Sequence, residues 1–196
     1  MPIADPFRFL AATLRNPAKV GAIAPSSSYL AAAMLKGVDL SDDKAVIEFG
    51  PGTGPFTRAI ANALPDRSRY LGIERDEKFV DLLRERHTDM QIVHGSAEDA
   101  TQHATQAGFT PESIALILCG LPFASLPETV QRNVVDALDK LLTAGAQFRT
   151  FQYAHAWPMK SASRYRAMMS ERFGPCQRSP VVLRNLPPAF VLKWAR

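Results

Sequence analysis

The stretch Val46-Ile47-Glu48-Phe49-Gly50-Pro51-Gly52-Thr53-Gly54 carries an apolar run directly into a glycine-rich turn. With a strand over 45–49 before it and a helix over 56–64 after it, the turn is a strand-to-helix loop. Gly50 and Gly52 let the backbone bend sharply and approach a ligand with no Cβ in the way. In an open α/β sheet, ligands bind in the crevice beyond the carboxyl ends of the strands, where this loop lies. Further along, the pattern alternates: strand 70–74, helix 77–86, strand 91–94, strand 113–119, helix 128–142, strand 147–153 and helix 162–173. Two closing strands, 181–184 and 189–194, join across Asn185-Leu186-Pro187-Pro188 as an antiparallel end to the sheet. The alternation predicts an α/β fold, a mostly parallel seven-stranded sheet with helices on both faces.

Ahead of this core, Phe7, Leu10, Ala11 and Leu14 fall at helical spacing, and Asn16-Pro17 stops that helix. A second helix starts among Ser26, Ser27 and Ser28, runs to Lys36 and closes at Gly37. The expected division is an N-terminal helical extension over 1–36 and one α/β domain over 37–196. The net charge of +4 is unevenly spread. Residues 1–36 hold Arg8, Arg15, Lys19 and Lys36 against Asp5, residues 37–146 hold ten basic and seventeen acidic residues, and residues 147–196 hold nine basic residues and Glu171 alone. Basic ends that meet in space make a cationic face suited to anionic lipid headgroups or nucleic-acid phosphate. The two cysteines, Cys119 and Cys176, are far apart, and Cys119 ends an apolar run as a small buried hydrophobe, the pattern of a reducing compartment. The start of the chain lacks the pattern of a secretory signal, and no stretch reaches the about 18 apolar residues of a spanning helix, so membrane contact is expected to be peripheral.

Two cofactor classes compete for the loop. The dinucleotide fingerprint G-x-G-x-x-G would put its third glycine at position 55, which is Pro55. The glycines at 50, 52 and 54, with Glu48 two residues before the first, resemble motif I of the class I methyltransferases. Their Rossmann-like sheet binds S-adenosylmethionine, a cofactor that needs close backbone approach but carries no phosphates. That resemblance makes Glu48, Gly50, Gly52, Thr53 and Gly54 cofactor contacts. Glu74 ends the second strand 24 residues after Gly50, in place to accept hydrogen bonds from both ribose hydroxyls, with Arg75 beside it. Ser96 and Ala97, after the third strand, would read the adenine, and His94 is a strand-end residue.

The fourth strand runs into Gly120-Leu121-Pro122-Phe123. Amino-group methyltransferases carry an Asn/Asp/Ser-Pro-Pro-Tyr/Phe tetrad here, whose carbonyls and first side chain hold the amine. Gly120 has no side chain, so main-chain acceptors are left. The expected reaction site is Gly120, which also borders the cofactor, with Leu121, Phe123 and Tyr153. Phe123 would add a cation–π attraction of about 1 kcal/mol to an ammonium. His87, His94, His103 and His155 lack paired ligand spacing and there is no Cys-x-x-Cys, so no metal is expected. Methyl transfer needs an in-line approach of a neutral nitrogen lone pair to the sulfonium methyl, so catalysis is mostly positioning and desolvation. Glu48, Tyr153, His155 and water are conceivable proton acceptors.

Longer stretches carry a closer resemblance. Asn16-Pro17-Ala18-Lys19-Val20-Gly21-Ala22-Ile23-Ala24-Pro25-Ser26-Ser27, the motif from Glu48 to Gly54, Gly120-Leu121-Pro122-Phe123-Ala124-Ser125-Leu126-Pro127, and Arg184-Asn185-Leu186-Pro187-Pro188-Ala189 are similar to the bacterial phospholipid N-methyltransferases. These convert phosphatidylethanolamine toward phosphatidylcholine. The resemblance implies one to three methylations of an ethanolamine headgroup and reversible attachment to the inner leaflet of the cytoplasmic membrane. Ile23, Ser26 and Ser27 would form a lid over cofactor and headgroup, and Tyr153 would face the headgroup near Trp157. Where the family shows Tyr-Thr-x-Gly-Pro, this chain has Tyr153-Ala154-His155-Ala156-Trp157-Pro158. Phe7, Phe9, Leu10 and Leu14 beside Arg8, Arg15 and Lys19 suit an interfacial helix on an anionic membrane surface, with Arg184 a further contact. No nucleic-acid or obligate protein partner is expected. The competing readings are an rRNA adenine N6-dimethyltransferase and a regulatory module that binds S-adenosylmethionine without chemistry. Against the first, Gly120 replaces the amide side chain and no separate RNA-binding domain follows residue 196. Against the second stand motifs at four successive strand ends.

Overall fold

The computed structural model describes residues 26–41, 43–123 and 126–196. Seven strands form one sheet in the order β3-β2-β1-β4-β5-β7-β6. They are β1 (Ala45–Phe49), β2 (Tyr70–Glu74), β3 (Gln91–His94), β4 (Ile114–Cys119), β5 (Gln147–Tyr153), β6 (Gln177–Arg178) and β7 (Ala189–Ala195). The first five pair in parallel, and β7 runs antiparallel between β5 and β6. Every residue of β1, β2 and β4 is buried, as the central strands of a sheet covered on both faces must be. The strand order reverses between β1 and β4, which makes a crevice at their carboxyl ends. The topology is Rossmann-like, as the alternation of elements predicts.

Alternate residues of each strand feed two separate cores. Ile47, Phe49, Ile117, Cys119 and Phe148 point to one face, under α4 (Ala100–Gln106), α5 (Glu128–Leu141) and α6 (Lys160–Phe173). Val46, Leu116, Leu118, Ala189 and Val191 point to the other, under α1 (Ser28–Leu35), α2 (Pro55–Ala63) and α3 (Glu77–Arg86). Helix α1 belongs fully to the second core, since Leu30 and Met34 are 0% exposed. The buried Arg149 of β5 seals its far end by donating to the carbonyls of Met34 and Lys36, both at 2.9 Å.

Two elements differ from the sequence reading. Residues 181–184 are not a strand: Val182 makes one bridge to Ala189, and the strand that flanks β7 is the two-residue β6. Pro180 ahead of that segment and Pro187 and Pro188 behind it lack the N–H a ladder needs. Helix α4 escapes the apolar periodicity because its sequence is Ala-Thr-Gln-His-Ala-Thr-Gln. It sits on the sheet through Ala100 and Ala104 only.

Candidate active site

At the crevice, β1 turns through Gly50 to Gly54 into α2. Gly50 has φ +66°, and a Cβ there would lie 2.2 Å from Leu121 Cδ2. Its N–H donates to the Ile73 carbonyl at 2.9 Å. From the adjoining strand, the Gly120 N–H donates to the Phe49 carbonyl at 2.8 Å, and a Cβ on Gly120 would meet the Gly50 carbonyl oxygen at 2.8 Å. The ends of β1 and β4 are therefore held backbone against backbone, with no room for a side chain at 120. As the two strand ends stand, an amide or carboxylate side chain at 120 would not fit.

Two carboxylates lie beneath this cradle. Glu74 accepts the N–H of Gly52 at 2.9 Å on one oxygen, and those of Arg75 at 2.8 Å and Asp76 at 2.9 Å on the other. It thereby ties the glycine turn to the end of β2. Burial raises its pKa, and the three amides pull it back. Glu48 is 0% exposed and accepts from Thr57 Oγ1 at 2.9 Å and from the Tyr70 hydroxyl at 2.7 Å, both through Oε2. Its Oε1 has no hydrogen-bond partner. Desolvation pushes the Glu48 pKa up to about 7, against the two hydroxyl donors. The sequence reading missed Thr57 and Tyr70 as the partners that hold Glu48.

Beyond β3, Ser96 caps the short 3-10 turn Ala97–Asp99: its hydroxyl accepts from the Glu98 N–H at 3.3 Å, and Ala97 is buried. Both stand at the carboxyl end of β3, next in order to Glu74 and the exposed Arg75. Ser27 caps α1 by accepting from the Leu30 N–H at 3.2 Å, and its own N–H donates to the buried Asn185 at 2.9 Å. Ser26 precedes it, half-buried. Phe7, Arg8, Phe9, Leu10, Leu14, Arg15, Lys19 and Ile23 lie outside the described residues.

On the acceptor side the structure corrects three expectations. Phe123 is 2% exposed, with its ring centroid 4.8 Å from that of Tyr165, so it is core and does not face an incoming ammonium. Tyr153 and Trp157 belong to opposite faces of the sheet. Tyr153 packs against Phe151 at 5.5 Å between centroids, and Phe151 against Phe56 at 5.8 Å. Trp157 packs on Phe190 in the other core, and its ring is flanked by Arg166 at 3.8 Å and Arg178 at 4.6 Å. Those guanidiniums occupy the surface that a methylated ammonium would need. Phe151 and Tyr153 alternate along β5 with Gln152, which Arg166 grips at 2.6 Å, and the turn Ala154–Ala156 then carries Trp157 to the Gln152 side, where Arg166 also donates to its carbonyl at 3.1 Å. Arg184 lies against Tyr29, donating to its hydroxyl at 2.8 Å. What remains on the α1–α2 face is a run of rings, Phe56, Phe151, Tyr153 and His155, the last stacked on Tyr153 with 10° between planes.

Burial also sorts the proton acceptors. It lifts the Tyr153 phenol to about 12, so Tyr153 stays protonated at neutral pH and is a donor. Glu48 is sealed from solvent. Exposed His155 and water are the acceptors left of the four considered.

These residues fit a cofactor with an amino group and a ribose diol. Glu48 Oε1 is an orphaned acceptor beside the loop, and Glu74 Oε2 keeps one lone pair for a hydroxyl. A family model described as "Methyltransferase domain" matches residues 46–145. The fibrillarin of Aeropyrum pernix, solved with natively bound S-adenosyl-L-methionine, superposes with a TM-score of 0.60 at 16% identity, covering 86% of this chain and 76% of that one. A SAM-dependent methyltransferase of Aquifex aeolicus gives a TM-score of 0.59 at 13% identity, over 84% and 88% of the two chains. At these identities the likeness concerns the fold. An ornithine lipid N-methyltransferase of Singulisphaera acidiphila is 31% identical over 191 residues, 94% of this chain and 93% of that protein. The matched domain, and an identity that extends over nearly all of both chains, place this protein in the methyltransferase-domain family: it is an S-adenosylmethionine-dependent methyltransferase.

Proposed function

We propose that the protein N-methylates the amine of a membrane lipid, taking phosphatidylethanolamine and its mono- and dimethyl derivatives toward phosphatidylcholine at an anionic membrane surface. The observation that carries the reading is the near-full-length similarity to an enzyme named for methylating a lipid amine. The site is consistent with it. The cofactor supplies an electrophilic methyl; the chain supplies place and dryness. Main-chain carbonyls at Gly120 and Leu121 can accept hydrogen bonds from a flexible alkylamine. The half-buried Tyr153 and Phe151 rings offer faces to a quaternary ammonium, which can no longer donate. The proton leaves to water or through His155. A planar base amine is poorly served by a glycine that has no room for the amide side chain at 120. Among the described residues no helix is long and apolar enough to cross a membrane.

Ornithine lipid is the second reading, favoured by the relative's own substrate. Both lipids present a primary alkylamine near an anion, a phosphate in one and a carboxylate in the other. Purified protein given methyl-labelled S-adenosylmethionine and vesicles of either lipid, with stripped ribosomal subunits as a third arm, separates the cases. Label in phosphatidylethanolamine is the expected result; label in ornithine lipid alone moves the substrate to the second reading, and label in the subunits alone ends both.

A further inference from the structure

Five large apolar side chains are exposed among the described residues: Tyr29 at 51%, Met159 at 50%, Val181 at 36%, Leu183 at 70% and Leu186 at 71%. They belong to three segments that are bonded to one another. Ser27, at the start of α1, donates its N–H to Asn185, and Arg184 of the same loop donates to the Tyr29 hydroxyl. The Pro188 carbonyl accepts from the Ala154 N–H at 2.8 Å, in the turn after β5 that leads to Met159. Ala189, the next residue, pairs with Tyr153, the last residue of β5. The five residues therefore border the carboxyl edge of the parallel strands, the edge that holds the crevice.

The loop over 181–188 is inverted for a protein facing water. Asn185, polar, is 2% exposed and spends its amide on Ser27 and on the Pro187 carbonyl, whereas Leu183 and Leu186 on either side point outward. Scattered exposed leucines need no explanation, but this clustering at a site mouth does. Two cations accompany it: Arg184 lies in the loop, and Lys160 follows Met159.

We infer that this rim docks on an anionic phospholipid bilayer. Leu183 and Leu186 enter the acyl boundary, while Tyr29, Arg184 and Lys160 lie at the headgroups. Docked this way, the crevice mouth faces the plane in which a lipid amine resides, and the amine reaches the cradle without leaving the membrane. The inference rests on the lipid reading above and adds the surface that meets the lipid.

The test uses the full chain and its L183S/L186S variant, floated with phosphatidylglycerol–phosphatidylcholine vesicles. Both leucines are at the surface, so folding is spared. The variant is expected to partition at least about tenfold more weakly, as for two apolar side chains kept from the acyl boundary, with L183F/L186F restoring the parent value. An unchanged partition overturns the inference. So does a change in the sedimentation of lipid-free protein, which would assign the rim to a second copy. Methyl transfer to phosphatidylethanolamine dispersed in detergent micelles should be the same for parent and variant. A micellar rate that falls with the partition overturns the docking reading, because the loop then serves the site. A parent inactive on micellar aminolipids, with the flotation difference intact, defeats the substrate reading and leaves the docking surface standing.

Discussion

At the scale of single residues, Glu48 and Glu74 divide the work of the cofactor loop. Glu74 binds three main-chain amides and has one lone pair to spare on Oε2, so Glu74→Ala is expected to weaken S-adenosylmethionine binding by about 2 kcal/mol, read by calorimetry. An unaltered dissociation constant would remove it from the site. Glu48 makes a different prediction because its pKa is raised from 4.5 to about 7. The folded state then holds a proton that the unfolded state has released, so the Glu48 contribution to stability falls as pH rises through that interval and is flat outside it. In urea titrations, the parent-minus-E48Q difference in unfolding free energy should drop by about 3 kcal/mol between the two limits. A difference that does not vary with pH would mean that Glu48 is ionised throughout. The glycines and both acids were legible because one short stretch and one strand end encode them. The partners of Glu48 were not, because Tyr70 and Thr57 reach it from another strand and a helix. A signal was present in Tyr70-Leu71-Gly72: at Gly72 a Cβ would come within 2.7 Å of the Tyr70 hydroxyl, so the glycine lets the phenol lie along its strand.

Among elements, α1 shows how a short helix is fixed to a sheet. Ser27 caps its start, Leu30 and Met34 fill the core, and Arg149 takes the carbonyls at its end. Cations are favoured at helix C-termini, and here the cation is buried and comes from a strand. Arg149→Ala would leave two carbonyls unpaired and a cavity beneath α1. A loss of about 3 kcal/mol in urea unfolding is expected; a loss within about 0.5 kcal/mol, the range of ordinary surface changes, would show that α1 holds without it. Capping serine, closing glycine and apolar face made this helix readable. Arg149 was not, since it interrupts an apolar strand and its purpose is known only once residues 115 and 113 positions away are beside it. The same holds for Trp157. Its place four residues after Tyr153 suggested a shared pocket, whereas the turn Ala154–Ala156 that follows β5 carries it to the opposite face.

For the whole molecule, the rim of Tyr29, Met159, Leu183 and Leu186 was not legible in the sequence. Its exposure is set by which side of the 181–188 loop its neighbours cover, and a linear pattern does not encode that. The basic side chains of 147–196 are dispersed: Arg149 lies under α1, Arg178 on Trp157, and Arg172 and Arg196 on Asp139. The sheet order has one more consequence. Strand β7 follows all the others in sequence but lies inside the sheet, between β5 and β6, and α1 packs over its first residues through Leu30 and Ala31. During vectorial synthesis α1 can pack on α2, which follows it closely, and the cradle strands β1 to β4 can pair among themselves, whereas the part of α1 that faces β5 and β7 waits for the last strands. Until then the second core stays open on that side, so chaperone capture of the nascent chain competes with its closure.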